Sequence, residues 1–170
     1  LLVTLVIFLF LGSLRATIIP AVTVPISVIA TFIVLYALGF SVNLLTLLAL
    51  VLAIGLVVDD AIVVLENISR RMDEEGETPL VASYRGSRQV GFAVIATTMV
   101  LIAVFVPITF LEGDIGRLFT EFALTMSAAV AFSSLLALTL TPMLASKLLK
   151  PTRNDSILSV IPRTVDRAFR

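Results

Sequence analysis

Two adjacent carboxylates, Asp59 and Asp60, sit inside the stretch Ala53-Ile-Gly-Leu-Val-Val-Asp59-Asp60-Ala-Ile-Val-Val-Leu-Glu66-Asn67, and no other charge falls between Leu44 and Leu65. At the centre of a bilayer-spanning helix each aspartate costs about 2.5–3.5 kcal/mol on the insertion scale, so the pair costs roughly 5–7. The fifteen Leu, Ile and Val residues from Leu44 to Leu65 return about 0.3–0.6 kcal/mol each, roughly 4–9 in total. Insertion is near break-even, so the pair is expected to serve a purpose. Charges within a span face a bundle interior or a wet cavity and mark ion pathways or proton relays. Neighbouring helical residues point about 100° apart, so both carboxylates can line one cleft without stacking. They then titrate as a coupled pair, a group able to load and unload a proton.

Other roles for the pair are weaker. As protonated hydrogen-bond donors they would glue helices together, yet one polar residue suffices for that and the second only adds cost. As a cation site they suit Mg, Ca or Mn, but two aspartates without further oxygen-rich side chains make a thin coordination shell. No metal is expected. Gly55, one turn before Asp59, would let another backbone approach closely. Glu66 and Asn67 read as interfacial polar residues, and Glu112 and Asp114 as a solvated loop. Thr139, Thr141 and Pro142 are positioned to bend the last span.

The whole composition fits a membrane setting. Of 170 residues, 59% are hydrophobic and 14% charged, against about 45–50% and about 25% in soluble domains. Twelve Lys and Arg balance twelve Asp and Glu, leaving no basic excess for a phosphate backbone, so nucleic acid is not a partner. With no cysteine and no histidine, the chain has no thiolate nucleophile, zinc site, haem ligand or Ser-His-Asp triad. Enzyme chemistry and resident cofactors are therefore not expected. The chain opens on Leu1, with no charged n-region before its apolar run, and reads as a piece of a longer one.

A spanning helix needs about 20 predominantly apolar residues. Ala16 to Val42, Leu44 to Ile68, Val90 to Leu111 and Phe122 to Ser146 meet this, while Leu1 to Leu14 is a truncated span. Pro20 and Pro25 fall near the start of the first full run, where helix entry tolerates them best. No alternation of period two competes, so the expected fold is all-α, a polytopic membrane helical bundle of one truncated and four full spans, because lipid leaves only helices and closed barrels. Eleven of the twelve cations fall on one side, with Arg15, Arg70, Arg71, Arg85, Arg88 and the C-terminal group, leaving Arg117 on the other. The positive-inside rule makes the Arg15 side cytoplasmic.

Residues 1-150 form the transmembrane region and 151-170 a cytoplasmic segment. Thr78-Pro79 reads as an N-cap and first helical position, starting a short cytoplasmic helix through Leu80, Tyr84 and Arg88. Past Pro151, Ile157, Leu158, Ile161, Val165, Ala168 and Phe169 recur at helical spacing among Arg163, Arg167 and Arg170, the pattern of an interfacial amphipathic helix.

The stretch Gly55-Leu-Val-Val-Asp59-Asp60-Ala-Ile-Val-Val-Leu-Glu66-Asn67 resembles the fourth transmembrane helix of resistance-nodulation-division (RND) multidrug efflux pumps of the hydrophobe/amphiphile branch. Leu14-Arg15-Ala16-Thr17 with Pro20 and Pro25, Gly39-Phe40-Ser41-Val42-Asn43, Glu74-Glu75-Gly76, Phe105-Val106-Pro107, Leu140-Thr141-Pro142 and Leu149-Lys150-Pro151 extend the match. The resemblance implies the second to sixth helices of the N-terminal half of such a pump. It further implies a proton/drug antiporter of the bacterial inner membrane, working as a homotrimer with a periplasmic adaptor and an outer-membrane channel. Asp59 and Asp60 are then the proton-relay positions, paired with a lysine and an arginine from the C-terminal half, which this chain lacks along with both drug-binding periplasmic segments. Alternatives are an RND-type exporter of metal ions or lipids, and a non-transporting structural or assembly module.

Overall fold

The computed structural model describes Phe8 and residues 13–149. Most of the truncated first span and the amphipathic segment past Pro151 lie outside the described residues. Four helices there are long and apolar enough to cross a membrane: α1 (Leu14–Ala37), α2 (Leu44–Glu74), α3 (Pro79–Phe105) and α4 (Gly113–Leu148). A five-residue 3-10 turn, Val106–Phe110, follows α3. No strand occurs among the described residues, and the all-α membrane bundle is as expected.

Local chemistry sets the helix ends, and several differ from the apolar runs. Ser13 caps α1, its hydroxyl accepting from the Ala16 amide at 3.2 Å. Pro20 and Pro25 therefore stand inside the helix rather than at its entry. The Thr23 hydroxyl donates to the Pro20 carbonyl at 3.1 Å, whereas the carbonyls that the two prolines leave without an amide donor are those of Ala16 and Ala21, one turn earlier. The helix stops at Ala37, short of Val42, because Gly39 takes a left-handed φ of 69°. The Gly39 and Phe40 amides then bond back to the Tyr36 and Leu35 carbonyls, closing a Schellman end that favours glycine.

Asn43 opens α2 with a capping box, accepting from the Thr46 amide while the Thr46 hydroxyl accepts from the Asn43 amide. The helix continues past Ile68 to Glu74. Pro79 takes the first position of α3 as expected, although the Thr78 side chain makes no capping bond. The helix expected from Pro79 through Leu80, Tyr84 and Arg88 is present and runs unbroken into the span. At the far end Pro107, which has no amide to donate, lies just past the end of α3 in the 3-10 turn. The Glu112–Arg117 loop also contracts: Glu112 is the N-cap of α4, so Asp114 and Arg117 are helical. Pro142 lies within α4, near its end.

α4 packs against each of the other three helices. Thr125, Ala129, Ser133, Ala137, Thr141 and Ala145 recur every fourth residue along it, and all are buried. Small side chains on one face let neighbouring backbones approach. α2 answers with Ala49 and Ala53, which pack with Met126 and Ala129. A second cluster joins Ala16 and Ile19 of α1, Val64, Leu65 and Ile68 of α2, Ala82 and Val94 of α3, and Ala137 and Ala145 of α4. Phe105 and Phe122 meet edge to face, their centroids 6.4 Å apart.

α2 and α3 come closest at Gly86. A Cβ built there would lie 3.0 Å from Ile68 Cγ1 and 3.2 Å from Ile68 Cα, so the contact is against main chain as well as side chain. Gly86→Leu in the full-length protein is expected to cost about 1–3 kcal/mol by overpacking, read as a lower thermal unfolding midpoint. An unchanged midpoint would show that the two helices can separate there freely.

Candidate proton site

Asp59 and Asp60 sit about 22 Å along α2 from Leu44, at 1.5 Å per residue, which places them inside the apolar layer. Their environments differ because they lie on successive rotations of one helix. Asp60 is half-buried and turned toward α4, where the Ser133 hydroxyl donates to Asp60 Oδ2 at 3.1 Å. Asp59 is exposed on the face that no described helix covers. Gly55 and Val63, one turn to either side, are exposed on the same face, as is Glu66. Nothing lies within 4 Å of a Cβ built at Gly55, so the close approach expected there does not come from the described helices. The three ion pairs among the described residues all lie between Arg71 and Arg85, away from the acid pair. No group of three His, Cys, Asp or Glu among the described residues is placed to hold a metal ion.

Two tethers fix the ends of α2. Toward Leu44, Asn43 Nδ2 donates to Glu121 Oε2 of α4 at 2.6 Å, beside an open cavity of about 390 Å3 lined in part by Phe40, Arg117 and Glu121. At the other end Asn67, read as interfacial, is buried. Its Nδ2 donates to the Gly86 carbonyl at 2.9 Å and to Gln89 Oε1 at 3.3 Å, while its Oδ1 accepts from Arg70 at 3.0 Å. Glu66, next in sequence, is exposed, in keeping with the interfacial reading.

The same end carries a charged clasp. Arg71 pairs with Glu75 at 2.7 Å and Glu77 at 3.0 Å, and Arg85 pairs with Glu77 at 2.7 Å. The Arg71 hydrogen bond, aided by that from Arg85, holds the Glu77 carboxyl below its ordinary range. The clasp therefore stabilises the turn above the unfolded value of about 4.5 and is lost as pH falls through the lower folded value.

Sequence reasoning found the acid pair but not Ser133, Glu121 or Gly86. Ser133 carried a usable signal: it belongs to the four-residue repeat of small residues on α4. Glu121 lies just outside the charge-free run from Phe122 and so was not read as part of the span.

Four helices long and apolar enough to cross a bilayer define a multi-pass membrane protein. Residues 1–169 match the AcrB/AcrD/AcrF family, and the chain belongs to that family. It is 57% identical over 149 residues to multidrug resistance protein MdtC of Yersinia enterocolitica, covering 88% of this chain and 14% of that protein. Against MdtC of Pectobacterium carotovorum identity is 58% over 149 residues with the same coverage, and against MdtC of Photorhabdus laumondii 54% over 152 residues, 89% of this chain and 15% of that one. The chain thus spans about a seventh of the length of these relatives. The resemblance to RND multidrug pumps is borne out.

Two outcomes follow for the side chains around the site. Ser133→Ala removes a hydrogen bond to a carboxyl group and is expected to lower stability by about 1–3 kcal/mol, less in an Asp60→Asn background if the two are coupled; unfolding midpoints of the four proteins measure this. Glu77→Gln is expected to speed amide exchange across residues 75–82 at neutral pH, with variant and wild type converging well below pH 4.5.

Proposed function

We propose that this chain is the proton-relay segment of an inner-membrane proton/drug antiporter that exports hydrophobic or amphiphilic compounds, with Asp59 and Asp60 as the relay. The observation that carries the reading is the split environment of the pair: Asp60 held by Ser133 of α4, Asp59 open on the uncovered face. One carboxyl is anchored to the bundle and the other is available to a partner. A cationic side chain from the rest of the pump, a lysine or arginine of its C-terminal half, would pair with the ionised doublet across that face. Protonation weakens this attraction, and the face can then shift, biasing one of two conformations by differential stabilisation.

The driving force is adequate. A proton crossing roughly 100 mV releases about 2.3 kcal/mol, and one pH unit adds about 1.36 kcal/mol. The proposal includes a homotrimer joined to a periplasmic adaptor and an outer-membrane channel, with the Arg15 end of the helices in the cytoplasm. The name multidrug resistance protein carried by the MdtC relatives supports the substrate class, and the clustering of Arg15, Arg70, Arg71, Arg85, Arg88 and Lys147 at one end of the bundle supports the orientation. No catalytic residue or cofactor is assigned.

In the full-length protein, Asp59→Asn and Asp60→Asn are each expected to abolish drug export and substrate-driven proton flux in proteoliposomes while the protein still inserts and folds. Export against a gradient by both variants would refute the relay. Loss of folding with proton flux intact per folded molecule would assign the pair a packing role instead.

A further inference from the structure

The outer face of α3 carries a second polar feature, unrelated to the acid pair. α3 is 27 residues long, about 40 Å at 1.5 Å per residue, and exceeds the roughly 30 Å hydrocarbon layer. Its charge-free portion begins after Arg88, so the turns before it stand at headgroup depth. Their inner face is used for packing, with Ala82, Ser83 and Gly86 buried. Their outer face is Leu80, Tyr84 and Arg88, followed one turn deeper by Phe92, which is 84% exposed.

The charges at this level are unequally satisfied. Arg85 is bound to Glu77 at 2.7 Å. Arg88 forms no ion pair among the described residues. Its guanidinium carbon lies 5.6 Å from the Tyr84 ring centroid, and its Nη1 donates to the Tyr84 hydroxyl at 3.0 Å. That contact draws the side chain back one turn, away from the apolar span, the direction a cation takes when it snorkels. The ring orients the guanidinium and leaves other donors of its planar fork open, in the geometry that suits a phosphate.

We propose that Tyr84 and Arg88 form an interfacial site for the phosphate of an anionic membrane phospholipid, with Phe92 against its acyl chain. Charge complementarity selects the occupant: a cation with no ion pair among the described residues, an interfacial tyrosine and an exposed aromatic at acyl depth match an anionic headgroup and its chain. The site does not depend on the transport reading.

The test is native mass spectrometry of the detergent-solubilised full-length protein with phosphatidylglycerol or phosphatidylethanolamine added. Wild type is expected to retain phosphatidylglycerol preferentially, and Arg88→Gln to weaken that binding about fivefold, the equivalent of about 1 kcal/mol, with phosphatidylethanolamine unchanged. Arg85→Gln removes an equal charge from a guanidinium already bound by Glu77 and is expected to keep the preference. Equal lipid binding by wild type and Arg88→Gln would overturn the site. Equal losses in Arg85→Gln and Arg88→Gln would overturn it too, reducing the preference to diffuse surface charge. Both arginines are exposed, and circular dichroism verifies that each variant is folded.

Discussion

The bundle depends on the face of α4 where Thr125, Ala129, Ser133, Ala137, Thr141 and Ala145 follow one another every fourth residue, all buried. In lipid no hydrophobic force draws helices together, so association rests on close van der Waals contact and hydrogen bonds between helices. A seam of small side chains provides the first and its hydroxyls the second. Thr125 bonds within its own helix, to the Glu121 carbonyl at 2.6 Å, and the buried Thr141 hydroxyl has no hydrogen-bond partner among the described residues. Ser133 reaches across to Asp60. The element that assembles the bundle thus also grips the half-buried Asp60 carboxyl.

The ends of α2 are held by different means. The Asn43 cap unites a local helix start with a bond to Glu121 on α4, and Asn67 ties the opposite end to the α3 main chain. Between these fixed points the face bearing Gly55, Asp59 and Val63 is covered by none of the described helices. The geometry separates a braced side, facing α4 and α3, from an open side on which one ionisable group is presented.

Much of this was legible in the sequence. Apolar runs located all four spans because a desolvated backbone leaves few alternatives, and the cost of two aspartates singled out the acid pair. Element ends were less legible. They depend on single groups, such as Ser13 capping ahead of two tolerated prolines and Gly39 ending α1 through its φ. The apolar runs also understated α2, α3 and α4, since a helix does not stop where its side chains become polar. The burial of Asn67, which its sequence position marks only as interfacial, and the part played by Gly86 come from the α2–α3 crossing, which no local pattern encodes. The small-residue seam was readable, yet hydropathy alone scores alanine and serine as unremarkable.

The bond between Asp60 and Ser133 spans 73 residues of sequence, and that separation has a meaning in time. At synthesis rates of about 5–20 residues per second, roughly 4–15 s pass between the emergence of the aspartate and that of its serine. During that interval α2 has near-zero net preference for the bilayer and lacks the helix that later holds it. The acid pair thus links the hold on α2 to a helix made 73 residues later.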